Sequence, residues 1–177
     1  MSGIAIRPLA ATDAQALLAT VHASLPTLSR WLPWASADYG LADAEAWVAH
    51  TVREREAERE YHFGIFDADE TLVGGVGLNH RIPAYRSAHL GYWVADAVRG
   101  RGVAAEAARA ALRYGFDTLG LQRIAIMTPP EHLASQRVAA KLGATYEGRA
   151  RNGIAFRGDA RDALVFSLIP SDMGLGA

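Results

Sequence analysis

The spacing of apolar positions changes several times along the chain, and each change marks an element. Ile4-Ala5-Ile6-Arg7-Pro8 predicts a short strand stopped by proline. Thr12 or Asp13 can cap a helix running to about His22. A second helical piece starts after Ser24 and ends near Trp31-Leu32-Pro33-Trp34. Asp43 is placed to cap a third, from Ala44 to about Arg59. Its last turns, Arg53 to Glu60, mix both charge signs as a solvated face does.

From Tyr61 the period falls to two. Tyr61 to Phe66 and Leu72 to Leu78 predict a hairpin turned by Asp67 to Glu70. Ala88 to Val94 is a third strand, with His89, Gly91 and Trp93 on one face and Leu90, Tyr92 and Val94 on the other. A glycine loop, Arg99-Gly100-Arg101-Gly102, leads into an alanine-rich helix from Val103 to about Leu119. Apolar positions 104, 108, 111, 112, 115 and 119 recur there at helical spacing, and Gly120 is the expected stop. Gln122 to Thr128 is a strand, Leu133 to Leu142 a helix ended by Gly143. Two strands follow, about Ala144 to Ala150 and Arg161 to Leu168. Gly158-Asp159 is the preferred turn between them, with Asn152-Gly153 a competing turn or bulge signal. The order predicts an α+β domain with a mixed sheet, 1–177 forming one unit.

Composition then excludes several functions. The chain has 177 residues, 50% hydrophobic and 21% charged, which is globular composition. Net charge is −1, so nucleic-acid binding through bulk charge is not expected. There is no cysteine, which removes disulfides, thiolate metal sites and a thiol nucleophile. The six histidines show no metal-like pair spacing, so no metal is expected. No apolar run approaches the ~20 residues of a membrane span, and Met1 to Leu9 lacks secretory-signal character; a cytoplasmic protein is expected.

The candidate chemistry sits in the loop between strand and helix. Glycines let backbone N–H groups converge, and a helix N-terminus adds unpaired N–H groups and a positive dipole end. Arg99, Gly100, Arg101, Gly102, Val103 and Ala104 therefore read as a cradle for a pyrophosphate. A dinucleotide fingerprint, Gly100-x-Gly102-x-x-Ala105, is also satisfied. It fails on context, because the loop is not tight and the next strand, Ile124 to Thr128, carries no acid.

With these residues in view, the chain resembles the GCN5-related N-acetyltransferase (GNAT) superfamily, whose acetyl-CoA loop Gln/Arg-x-x-Gly-x-Gly/Ala is matched by Arg99-x-x-Gly102-x-Ala104. More narrowly, it resembles the ribosomal-protein serine/alanine N-acetyltransferase (Rim-type) branch. The carriers are Ile6-Arg7-Pro8-Leu9, Trp31-Leu32-Pro33-Trp34, Leu90-Gly91-Tyr92-Trp93-Val94, Ala134-Ser135 to Leu142-Gly143, Tyr146-Glu147-Gly148 and Asp162. The resemblance implies a GNAT fold, a mostly antiparallel twisted sheet flanked by helices. It also implies direct acetyl transfer from acetyl-CoA to a primary amine, with a protein or peptide N-terminal α-amine as the expected acceptor. Small amines such as an amino acid, polyamine or antibiotic are the alternative acceptors, and a non-catalytic CoA-binding module is the second alternative. A homodimer is expected only by family analogy.

The same resemblance distributes the work. A bulge in the central strand is expected to free backbone groups near Trp93 and Val94 for the cofactor arm, with a Val94-side N–H facing the thioester oxygen. Many relatives protonate the leaving thiolate with a tyrosine, which falls here at Ala139; the Rim-type serine falls at Ser135, as proton donor or as holder of a donor water. The branch's glutamate base falls at Ile154, and the glutamate other branches place on the central strand is His89, the candidate base. Glu147, His80 or water are reserves. His132 replaces an asparagine that in the branch usually helps hold the cofactor arm or fix the preceding loop. Trp31, Trp34 and Tyr85 are candidate walls of an acceptor site.

Overall fold

A computed structural model describes residues 3–175. Its strands are β1 (Ala5–Arg7), β2 (Tyr61–Phe66), β3 (Leu72–Ile82), β4 (Ser87–Val94), β5 (Arg123–Thr128), β6 (Thr145–Phe156) and β7 (Asp159–Leu168). Its helices are α1 (Ala14–Ala23), α2 (Leu25–Trp31), α3 (Leu41–Glu56), α4 (Val103–Arg113) and α5 (Leu133–Leu142). The strands form one sheet in the order β1-β2-β3-β4-β5-β7-β6. Only β4 and β5 are parallel; the other neighbours run antiparallel. This is the expected α+β fold.

Two buried clusters hold the layers together. One packs α4 and α5 on the sheet through Ala107, Ala108, Ala111, Leu112, Ile124 and Leu168. Three small alanines on one stripe let α4 approach the strands closely. The other packs α1, α2 and α3 on the opposite side through Leu17, Val21, Leu28, Ala44 and Val48. Leu90 and Tyr92 join the first cluster and Trp93 the second, as the period-two pattern requires. Among the described residues, no helix is long and apolar enough to cross a membrane.

Several boundaries differ from expectation for identifiable reasons. Asp13 does not cap α1; its carboxylate takes two hydrogen bonds from Arg7 (2.7 and 2.9 Å) and one from the Ala10 N–H (2.7 Å). The third helix starts at Leu41, because Asp43 reaches back to the Gly40 N–H (2.8 Å) from inside the first turn. The long helix ends its α-geometry at Arg113 and widens into a π-turn, Tyr114–Thr118, closed by the Leu119 N–H on the Tyr114 carbonyl (3.2 Å). The last hairpin is longer than the sequence suggests. It turns on Arg157 and Gly158, both at positive φ (50° and 89°), one residue before the expected pair. Asn152-Gly153 is the bulge instead, at a register shift between Ala150 and Ile154.

Candidate active site

β4 pairs with β5 only at Ser87 to His89, against Arg123 to Ala125. Beyond that the strands part. The edge they leave, Leu90 to Val94 and Ile126 to Thr128, lines a cavity of about 720 Å³ together with the N-terminal ends of α4 and α5. Contrary to expectation, β4 has no bulge here: its register with β3 is continuous from Val94↔Gly74 to His89↔Asn79. The free backbone groups come from the splay. The Ala95 N–H bonds the Val73 carbonyl (2.8 Å), so alternate residues 93 and 91 also bond β3. Leu90, Tyr92 and Val94 are left presenting N–H and C=O groups to the gap. Trp93 and Val94 both line it.

At one end lies the glycine loop. Gly100 (φ 75°) and Gly102 (φ 89°) occupy the left-handed region, and a Cβ at either would meet nothing. Gly102 is the N-cap of α4 and supplies no side-chain cap, so the first amides of that helix stay uncapped. Arg99, Gly100, Gly102, Val103 and Ala104 line the cavity. Arg101 does not: the loop turns on an Arg101 N–H to Val98 carbonyl bond (3.4 Å) and leaves its side chain exposed. Arg99 is braced, donating to Thr27 Oγ1 (3.2 Å) and Asp96 Oδ1 (3.3 Å). Further positive charge comes from Arg137 and Lys141 of α5, which sequence reasoning did not assign.

At the start of α5, His132 is the N-cap residue. Its Nδ1 accepts the Ser135 N–H (3.4 Å), which places its own proton on Nε2. The ring stacks on Trp31 with centroids 4.0 Å apart and planes 14° off parallel. Burial, then the charges of Arg99 and Arg30, push its pKa down, which favours this neutral acceptor form. The Ser135 hydroxyl also lines the cavity and lies 3.0 Å from the Tyr92 hydroxyl. Burial raises the Tyr92 phenol to about 12, so it stays protonated and can donate. Tyr92 was legible only as a strand residue. Thr128 is 1% exposed, lines the cavity and has no partner for its Oγ1. An orphaned buried hydroxyl, amide-lined strand edges and an uncapped helix N-terminus together fit a long polar chain ending in phosphates.

A second cavity, of about 710 Å³, is lined by Trp34, Tyr39, Trp47, His50, His62, Asp38, Asp43 and the β3 glycines among others. The two cavities share Leu32, Gly91, Tyr92 and Trp93, and so meet at β4. Trp34 lines this second cavity. Trp31 faces the first cavity instead, and Tyr85 lines neither, being 74% exposed.

His89 also lines neither cavity. It opposes Asn79 on β3 and Ala125 on β5, with its ring 5.3 Å from that of His80. Strand alternation gave it the correct face, but its place beyond the splay removes it from the meeting point. His80 shares that location. Glu147 is tied to the Arg123 guanidinium and takes a hydrogen bond from the Ser167 hydroxyl (2.7 Å), which hold its pKa down at about 2. It is a structural carboxylate, too acidic to serve as a base. Its folded pKa lies below the ~4.3 of an unfolded glutamate, so its contribution is complete above that value and is lost as pH falls towards 2. Glu147→Gln is expected to lower the melting temperature by about 2 °C at pH 7. Melting curves from pH 7 to 2 should show the gap to wild type closing below about pH 4.5; a gap constant with pH contradicts the pairing.

Spacing in the sequence gave no sign of one further grouping. His50, Glu60 and His62 converge so that their ligand-type atoms lie within 4.8 Å of one another.

The comparisons with known proteins agree with this geometry. The family description "Acetyltransferase (GNAT) domain" matches residues 4–145. The "Probable N-acetyltransferase YjcK" of Bacillus subtilis is 34% identical over 172 residues, 96% of this chain and 95% of its own. The [ribosomal protein uS5]-alanine N-acetyltransferase of Escherichia coli is 31% identical over 114 residues, 63% of this chain and 59% of its own. Mycobacterium smegmatis RimJ in complex with CoA-disulfide superposes with a TM-score of 0.86 at 26% identity, covering 96% of this chain and 83% of that one.

Proposed function

The chain belongs to the GNAT family and is an acetyl-CoA-dependent N-acetyltransferase, and we propose that its acceptor is the N-terminal α-amine of a protein or peptide. The observation that carries this reading is the meeting of two cavities at β4. One has the amide edge and helix N-terminus that suit acetyl-CoA. The other, at about 710 Å³, has room for the first residues of a peptide behind the amine that reacts. The named activity of the uS5-alanine relative supports an α-amine of a small residue.

In this reading Gly100, Gly102, Val103 and Ala104 receive the pyrophosphate on backbone N–H groups, and Arg99, Arg137 and Lys141 add charge around it. Thr128 and the free edge of β4 align the pantetheine arm. The Val94 N–H faces the thioester oxygen as it gathers charge. Ser135, held by Tyr92, donates to the leaving sulfur. The unit that does this extends past the matched residues 4–145, since β6 and β7 complete the sheet.

Asp38 and Asp43 on the second cavity favour a second reading, a small polyamine acceptor. Thiol release from acetyl-CoA separates the two. Tetrapeptide amides starting with alanine or serine are expected to give kcat/KM at least ~10-fold above spermidine or free amino acids, and the reverse order selects the small-molecule reading.

A further inference from the structure

The expected bases are absent from the meeting point: Ile154 cannot take a proton, and His89, His80 and Glu147 lie elsewhere or are tied up. We propose that His62, polarised by Glu60, is the group that takes the proton from the acceptor amine. This rests on the acetyltransfer reading above.

The geometry is that of a hydrogen-bonded dyad. His62 Nε2 lies 2.8 Å from Glu60 Oε2. A carboxylate can only accept, so Nε2 carries the hydrogen and Nδ1 keeps its lone pair. Nδ1 has no hydrogen-bond partner among the described residues. It points over Gly77: a Cβ built on that glycine would come within 2.2 Å of it. His62, Gly77 and Gly91 stand opposite one another across β2, β3 and β4. Two residues without side chains thus form a trough from the imidazole to the strand where the cavities meet, ~10 Å at the usual strand spacing. All three line the second cavity. An amine reacting at that strand is linked to Nδ1 through a chain of about two or three waters lying in the trough.

The surroundings hold the imidazole in place and neutral. Trp47 meets both histidine rings, His50 at 5.2 Å and His62 at 4.9 Å. The charged and titratable groups facing the dyad are His50 and Arg55 from α3, with Asp38 and Asp43 across the cavity. Burial lowers the His62 pKa, Glu60 raises it, and His50 and Arg55 lower it again; the net direction is down. The ring is accordingly unprotonated, and able to accept, at neutral pH.

The step balances. An N–H bond of the acceptor ammonium breaks and its proton passes to Nδ1. The freed lone pair forms the C–N bond to the thioester carbon. The nitrogen then still carries one hydrogen too many; it loses this second proton as the C–S bond breaks, and the sulfur, which keeps the electron pair of that bond, takes up a proton beside the Ser135 hydroxyl, leaving a neutral amide and a free thiol. His62 then returns its proton to the water of the cavity.

His62→Gln keeps a donor for Glu60 and cannot take the proton. With an alanine-started tetrapeptide amide, kcat/KM at pH 6.5 is expected to fall on the order of 10²-fold. The deficit should shrink to a few-fold at pH 9.5, where an α-amine of pKa ~8 arrives neutral. Glu60→Gln should move the acid limb of the pH profile to lower pH, because a group that raises the His62 pKa has been removed. A His62→Gln deficit that is absent, or equal at both pH values, overturns the proposal. Failure of the wild-type enzyme to acetylate the peptide counts against the acceptor reading instead. The dyad is then decided by ¹⁵N NMR of the histidine rings at pH 7. A His62 bearing its hydrogen on Nε2, with that signature altered in Glu60→Gln, supports it; an Nδ1–H or a charged ring overturns it.

Discussion

Gly102→Asp is expected to weaken acetyl-CoA binding roughly 30-fold while leaving the protein folded. Gly102 is the N-cap of α4, at φ 89°, with open space where a Cβ would project. Aspartate is among the best N-cap residues, and its carboxylate would accept the N–H groups of the first turn. Those are the amides the cradle holds ready for a phosphate, so an internal anion would occupy the site and repel the incoming one. At ~4 Å and the effective dielectric of a protein surface, two unit charges interact by about 4 kcal/mol; salt and solvent leave about 2 kcal/mol, a factor of about 30. Gly102→Ala separates charge from strain. It carries the same left-handed backbone cost without the carboxylate, and should weaken binding only several-fold. The alanine variant should also melt no higher than the aspartate variant, since a cap is worth ~1 kcal/mol. Calorimetric titration with acetyl-CoA checks the first point and thermal melting the second. Equal affinities for the two variants would show that the loop does not hold the pyrophosphate.

The loop was legible in the sequence because its physics is local. A glycine before a helix start needs no distant partner to become an anion cradle, and Gly100, Gly102, Val103 and Ala104 all reached the cavity. Element order was legible for the same reason, through period and stops at Gly120 and Gly143. What escaped depends on separation in the chain. Tyr92 meets Ser135 across 43 residues, and no pattern in either segment announces the pair. His50, Glu60 and His62 share a cluster only because α3 lies back along β2. The splay of β4 from β5 replaced the expected bulge because it arises from where two strands stop pairing, which neither strand records alone. His89 shows the limit from the other side. Alternation predicted its face, but its position along the strand, within the paired segment, decided that it reaches neither cavity.

Ser135→Ala should lower kcat on the order of 10²-fold with acetyl-CoA affinity unchanged. The helix start is expected to survive, because the bond to His132 Nδ1 is made by the backbone N–H of residue 135 and not by its hydroxyl. What is lost is the hydroxyl proposed as donor to the leaving sulfur. A thiolate of pKa ~8.5 is a much weaker base than an alkoxide, so the serine stabilises the sulfur chiefly by hydrogen bonding while a proton arrives. That task needs its O–H free to turn towards the cavity. Tyr92 bears on this: its phenol, held protonated with a pKa of about 12, has one hydrogen, which goes either to the Ser135 carbonyl (3.2 Å) or to the Ser135 hydroxyl oxygen (3.0 Å), and the second arrangement leaves the serine hydrogen for the substrate. Tyr92→Phe should therefore lower kcat in the same direction by a smaller factor, on the order of 10-fold. If the two hydroxyls act as one relay, the double variant will be no slower than Ser135→Ala alone; independent roles would multiply the losses. Steady-state kinetics of the four proteins, with acetyl-CoA titrations alongside, distinguishes these outcomes. Wild-type turnover in Ser135→Ala would remove the serine from the reaction and leave solvent as the proton source.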